Sequence, residues 1–118
     1  LFLQSGVESA YGVRLPHAVY KQDGVGHYHI YNQFVMAVPK RDALRDYLKE
    51  KGVGTEIYYP VPLHLQECLM SLGHRAGDYP EAERACRDLV ALPIYPELIA
   101  DQQHYVAQRL CEGLAALQ

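Results

Sequence analysis

At Pro39 the hydrophobic rhythm of the chain changes, and few folds survive the change. Ahead of it, "HYHIYNQFVMAV" (27–38) is rich in aromatic and branched residues, the composition of a long strand. Its last part, Phe34 to Val38, is apolar without a break, as expected of a strand covered on both faces. Behind the proline, "KRDALRDYLKEKG" (40–52) places Leu44, Tyr47 and Leu48 at helical spacing. Asp42 suits the positive first turn of such a helix, and Lys49 and Lys51 suit the negative last turn. Gly52 supplies the left-handed residue that ends it. A strand that feeds directly into a one-faced helix needs layers, with helices covering a sheet.

The rest of the chain fills in those layers. "VRLP" (13–16) reads as a short extended piece, because Pro16 holds Leu15 away from helical geometry. "KQDGVG" (21–26) carries an Asp-Gly turn signal. "GTEIYY" (54–59) is a second strand stopped by Pro60, and "LHLQECLMSLG" (63–73) is a helix with Leu65, Leu69 and Leu72 on one side. "DYPEAERACRDLVAL" (78–92) predicts a helix capped by Asp78, with Glu81 completing a near capping box. "ALPIYP" (91–96) is a third strand or extended segment. "DQQHYVAQRLCEGLAAL" (101–117) closes the chain as a helix with Val106, Leu110, Leu114 and Leu117 inward. The expected class is α+β, a small mixed sheet of about three strands with helices packed on it. A ferredoxin-like domain is the usual form of such a pattern, but the helical pair between the second and third strands departs from it.

Composition removes several functions. A chain of 118 residues with 49 % hydrophobic content forms one domain with a real core. The net charge of −3 comes from interleaved acids and bases, unlike the concentrated basic face of a nucleic-acid binder. No apolar run approaches the ~18 residues of a membrane span, and "LFLQSG" lacks the basic start of a signal peptide. Cys68, Cys86 and Cys111 are odd in number and widely spaced. They are expected as free, mostly buried thiols in a reducing, cytoplasmic setting. The chain opens at Leu1 and not at Met, which suggests a processed product or a piece of a longer protein.

Two clusters attract a functional reading and then lose it. His27 and His29 would face one way on a strand and could begin a zinc site, yet nothing fixes His17 or His104 beside them. No metal site is expected. The acidic pairs Asp42/Asp46 and Glu81/Glu83 are expected on solvated helical faces.

The stretch "EIYYPVPLHLQE" (56–67) fits neither period throughout, and it leads to a resemblance. "HIYNQFVM", "RDALRDYLKEKGVGTEIYYPVPLHLQE" and "GDYPEAERACRDLVALPIYPEL", in that order and spacing, resemble the carboxy-terminal domain of the DegT/DnrJ/StrS family. These are fold type I, pyridoxal-phosphate (PLP) aminotransferases acting on nucleotide-linked keto-sugars. The similarity runs from about residue 12 to 117, so residues 1–11 are expected as a linker or appended residues and 12–118 as the small domain. Two departures stand out. Ile99 occupies a position where the family often has a capping Thr, leaving Asp101 to cap the last helix, and Tyr58 stands where the family often has His.

The resemblance implies a substrate-facing edge at 58–66. Pro60 and Pro62 fix φ near −65°, so the flanking side chains have little freedom left to lose on binding. Tyr59 and His64 are the leading substrate contacts, with Tyr58 and Gln66 behind them. A tyrosine can bond a sugar hydroxyl while its ring covers an apolar face. Plugging the seam between two domains is the other reading of the tyrosines, as a structural histidine is of His64. Amides of Leu63, His64 and Leu65 at a helix start would offer a modest anion site. Tyr31 and Asn32 are expected near the domain junction.

The family's Schiff-base lysine, which shuttles the proton in such chemistry, lies in a large amino-terminal domain. No lysine here matches its motif. No catalytic residue is therefore expected in this chain, PLP is expected in the intact parent only, and the chain alone is not expected to transaminate. The implied partners are the missing PLP domain, a nucleotide-sugar and a second subunit, with glutamate as amino donor. The competing reading is a stand-alone binding or oligomerisation module with the same fold.

Overall fold

The sheet forms where the apolar run meets a second one far along the chain. The computed structural model describes residues 6–19, 21, 26 and 29–118. Strand β1, Phe34–Ala37, pairs antiparallel with β2, Leu89–Leu92, with Phe34 opposite Leu92 and Ala37 opposite Leu89. Single antiparallel bridges widen it on both sides, Arg14 to Ala37 and Glu56 to Ala91. The expected α+β class is found, with a sheet of four extended segments in the order Arg14, β1, β2, Glu56. Regular ladder is confined to the central two. Gly54 and Pro60 bracket the Glu56 segment, so the strand expected over 54–59 makes one bridge and no more.

Helices cover this sheet. Besides α1 (Val7–Tyr11), they are α2 (Arg41–Glu50), α3 (Pro80–Asp88) and α4 (Ala100–Ala116). Leu44 and Leu48 of α2 and Leu110 of α4 are each fully buried, against Met36, Val38 and Val90 of the sheet region. Burial of each such leucine stabilises the fold by about 1.5–3 kcal/mol. The end of α2 matches its sequence signals. Gly52 has φ +73°, and the amides of Gly52 and Val53 bond back to Lys49 O and Leu48 O, the double closure of a Schellman motif. At its start Arg41 is buried, donating through Nε to Asp42 Oδ1 (2.6 Å) and through Nη1 to Leu89 O (2.8 Å). The guanidinium thereby ties the first turn of α2 to the first residue of β2.

Several expectations change. The strand expected over 27–38 is regular only from Phe34, because Tyr31 takes a positive φ of 47° and turns the chain; residues 27 and 28 lie outside the described residues, as does most of the turn at 21–26. The helix expected over 63–73 is two 3₁₀ turns, Leu63–Leu65 and Glu67–Leu72, separated by an extended Gln66 (ψ 140°). The helix expected to run to residue 92 stops at Asp88, since Leu89 to Leu92 are taken by β1. Asp78 does not cap it; its Oδ2 accepts from Arg75 N (2.9 Å), and Tyr79 precedes the first turn. Asp101 does not cap α4 either. Gln102 accepts from Ile99 N (3.1 Å), half of a capping box whose other half isoleucine cannot supply.

Residues 7–11 have a defined structure. Within the expected linker of residues 1–11, Val7–Tyr11 form α1, and Val7 belongs to the core. All three cysteines are free, and Cys68 is exposed where burial was expected. No helix among the described residues is long and apolar enough to cross a membrane.

Candidate functional site

The edge at 58–66 starts where Glu56 leaves the sheet. The Tyr58 and Tyr59 rings meet edge to face, 6.1 Å apart at 80°. Tyr59 is 70 % exposed. It lines an open cleft with Pro60, Val61, Leu65, Gln66 and Glu67, so two of the expected substrate contacts, Tyr59 and Gln66, share one opening. Tyr58 belongs to a neighbouring cleft of about 400 Å³. Asn32, Gln33, Thr55 and Glu56 give that cleft its polar groups, and Ala91 to Tyr95 form its floor. The structure thus joins Asn32, expected at the domain junction, to Tyr58. Tyr31 lies elsewhere, in an apolar cavity of about 440 Å³ with Leu15, Phe34, Ile94, Leu98 and Val106.

His64 behaves differently from its neighbours. It is 8 % exposed. Its Nε2 lies 3.0 Å from Glu83 Oε1 on α3, and its ring packs on Tyr79 at 4.8 Å. The same Glu83 oxygen accepts from Gly77 N at 2.7 Å. Tyr79 continues the cluster to His74, 5.2 Å away, and His74 Nδ1 lies 3.6 Å from Asp78 Oδ2. Glu83 is therefore no solvated surface acid: its side chain is 15 % exposed. The Gly77 amide holds its carboxyl below the usual carboxylate range; burial opposes this, and the His64 contact reinforces it. Its partner Glu81 does stay at the surface, paired with Arg84.

The anion site expected at the start of the 63–73 segment is weakened by local bonding. The Leu65 amide is already used by Pro62 O at 2.9 Å, and Gln66 N by Leu63 O. A turn of three residues also has almost no dipole to offer.

The lysines stand apart from the clefts of the 58–66 edge. The clefts holding Tyr31, Tyr58 and Tyr59 are lined by no Lys or Arg. Lys40 Nζ donates to Leu117 O and lines a separate opening with Arg41 and Arg87, and Lys51 Nζ sits 5.4 Å from the centre of the Tyr47 ring. No group of three His, Cys, Asp or Glu side chains comes together among the described residues. His29 Nδ1 instead accepts from Tyr31 N (2.8 Å), and His104 Nδ1 is 2.7 Å from Ala100 O; His27 lies outside the described residues.

Comparison with known proteins places the chain in a family. Residues 2–111 match the sequence pattern of the DegT/DnrJ/EryC1/StrS aminotransferase family. A "pleiotropic regulatory protein" of Geobacillus stearothermophilus is 47 % identical over 87 residues, 74 % of this chain and 23 % of that protein. A dTDP-3-amino-3,4,6-trideoxy-alpha-D-glucose transaminase of Streptomyces venezuelae is 34 % identical over 94 residues, 80 % of this chain and 24 % of that one. The crystal structure of S. venezuelae DesV in complex with a ketimine intermediate superposes with a TM-score of 0.79 at 31 % identity, covering 93 % of this chain and 28 % of DesV. The chain thus spans about a quarter of the length of these relatives.

Proposed function

As the chain belongs to the DegT/DnrJ/EryC1/StrS aminotransferase family, we propose that it is the carboxy-terminal, substrate-facing part of a PLP-dependent sugar aminotransferase. The whole enzyme would move an amino group from glutamate to a nucleotide-linked keto-sugar. One observation carries the reading: Tyr59 and Gln66, on a stretch braced by Pro60 and Pro62, share one cleft, while Tyr58 shares its neighbour with Asn32 and Glu56. Tyrosine, amide and carboxylate groups around a volume of about 400 Å³ suit a sugar, whose hydroxyls need donors and acceptors and whose ring needs an apolar wall. The S. venezuelae relative, by its name a transaminase of a dTDP-amino sugar, points to the same substrate class.

PLP, held by the rest of the enzyme, would supply the electron sink for amino transfer. This chain's own part is to bind and orient. Tyr59 and Tyr58 would cover and bond the sugar, Gln66 and Asn32 would bond its hydroxyls, and His64 would brace the edge from below. The anchoring lysine, the domain that carries it, and a second subunit lie outside this chain in our reading, so the 118 residues alone would not transaminate. A cytoplasmic location goes with the nucleotide-sugar substrate.

The regulatory name of the Geobacillus relative favours one other reading, a non-catalytic binding or oligomerisation module. Half-reaction kinetics of the full-length protein separate the two, since a non-catalytic module carries out neither half. Tyr59→Phe raises KM for the keto-sugar and leaves the glutamate half-reaction unchanged if the edge binds sugar. Equal loss in both halves assigns it a structural role instead.

A further inference from the structure

We propose that Glu83 is a positioning residue for the 58–66 edge. It clasps His64 Nε2 and the Gly77 amide, locking the imidazole with Nε2–H inward and Nδ1 as the remaining acceptor. The inference rests on the reading of that edge as substrate-facing. Three facts converge on it. The edge is weakly anchored by its own residues, since Leu65 N and Gln66 N bond to Pro62 O and Leu63 O of the same stretch and Tyr59, Val61 and Leu63 are exposed. His64 is the buried side chain of the segment Leu63–Leu65, so whatever fixes His64 fixes the register of its neighbours, including Gln66 two residues on. And the group that fixes it comes from a rigid element, one turn into α3, which is where a positioning group holds best.

The chemistry sets the tautomer. An ionised carboxylate has oxygens that only accept, and Glu83 Oε1 already takes the Gly77 N–H at 2.7 Å. At 3.0 Å from the same oxygen, His64 Nε2 must therefore be the donor. In the neutral ring Nδ1 is then an acceptor. A carboxylate that orients a histidine in this way selects which nitrogen meets a ligand.

The test uses the 118-residue chain labelled with ¹⁵N. Long-range ¹H–¹⁵N spectra at pH about 9, above the ordinary histidine value of about 6.5, should show His64 as the Nε2–H form. Glu83→Ala should mix the two forms and speed exchange of the Gly77 amide by roughly tenfold or more, while core amides of Leu44 and Val90 hold within about threefold. Glu83→Gln covers the case in which the alanine variant fails to fold. Its side-chain oxygen can still accept from Gly77, but its amide can also donate to His64, so it should keep the Gly77 protection and lose the tautomer lock. A ring carrying Nδ1–H in the unaltered protein overturns the proposal, as does a tautomer unmoved in both variants. In the full-length enzyme, Glu83→Gln should raise the keto-sugar KM by roughly threefold or more with the glutamate half-reaction unchanged. If Tyr59→Phe moves that KM and Glu83→Gln does not, the clasp has no positioning role. If neither moves it, the substrate-facing reading itself fails.

Discussion

Substituting Gly113 by alanine sets two effects of similar size against each other, and the structure decides between them. Gly113 lies inside α4, where alanine should gain about 1 kcal/mol in helix propensity. Yet a Cβ built there meets Tyr47 Cδ1 at 2.7 Å, Leu44 Cδ1 at 2.8 Å and Tyr47 Cε1 at 3.0 Å. Neither neighbour can easily yield. Leu44 is completely buried, and the Tyr47 ring is held by its hydroxyl on Glu112 (3.3 Å) and by Lys51 over its face. Overpacking a full core costs about 1–3 kcal/mol, and two pinned contacts under 3 Å place this site in the upper half of that range. The net expectation is a loss of about 1–2 kcal/mol after the propensity gain. For a chain of this size that is a drop in Tm of about 4–8 °C. Urea unfolding followed by circular dichroism should show a lower midpoint at unchanged slope. A variant as stable as the parent, or more so, would mean that α2 and α4 do not touch as described.

Two further variants probe the edges of the site. Arg41→Ala should destabilise by about 1–3 kcal/mol, since it strips the donor from the Leu89 carbonyl at the start of β2; an unchanged urea midpoint would show that the α2–β2 tie is dispensable. For Glu83, whose carboxyl is held low by Gly77 and His64, the stabilising contribution is complete above the ordinary carboxylate value of about 4.3 and fades as pH falls through the lowered folded one. The difference in urea midpoint between the parent and Glu83→Gln should therefore be flat above pH about 5 and shrink below pH about 4. A difference that grows on acidification would contradict the direction of that shift.

Much of this was legible where local and tertiary preferences agree. The α2 stripe, its Asp42 start and its Gly52 stop all reappear, as do Leu110 and Leu114 on the inner face of α4. The family resemblance, most specific at 54–66 and 91–98, holds across nearly the whole chain. Failures arise where a distant partner decides. "DLVAL" continues a helical stripe, but pairing with Phe34–Ala37 takes its last four residues into the sheet. The 63–73 segment has a leucine stripe, yet it packs few of those leucines, and the extended Gln66 splits it into 3₁₀ turns. Glu83 was hidden because its partner His64 is nineteen residues away and no spacing rule links a turn to the first turn of a later helix. Only the run "GDYPEAE", already part of the family pattern, carried a hint of it.

The division of labour between this chain and the rest of an aminotransferase can be tested in one tube. The purified chain is mixed with pyridoxal phosphate, reduced with borohydride, digested and mapped by mass spectrometry. No saturable adduct is expected, only scattered modification of surface lysines such as Lys49, and no stable imine absorbance. Stoichiometric, saturable reduction onto a single lysine would show that these residues anchor the cofactor themselves and would contradict the claim that they form only its substrate-facing companion.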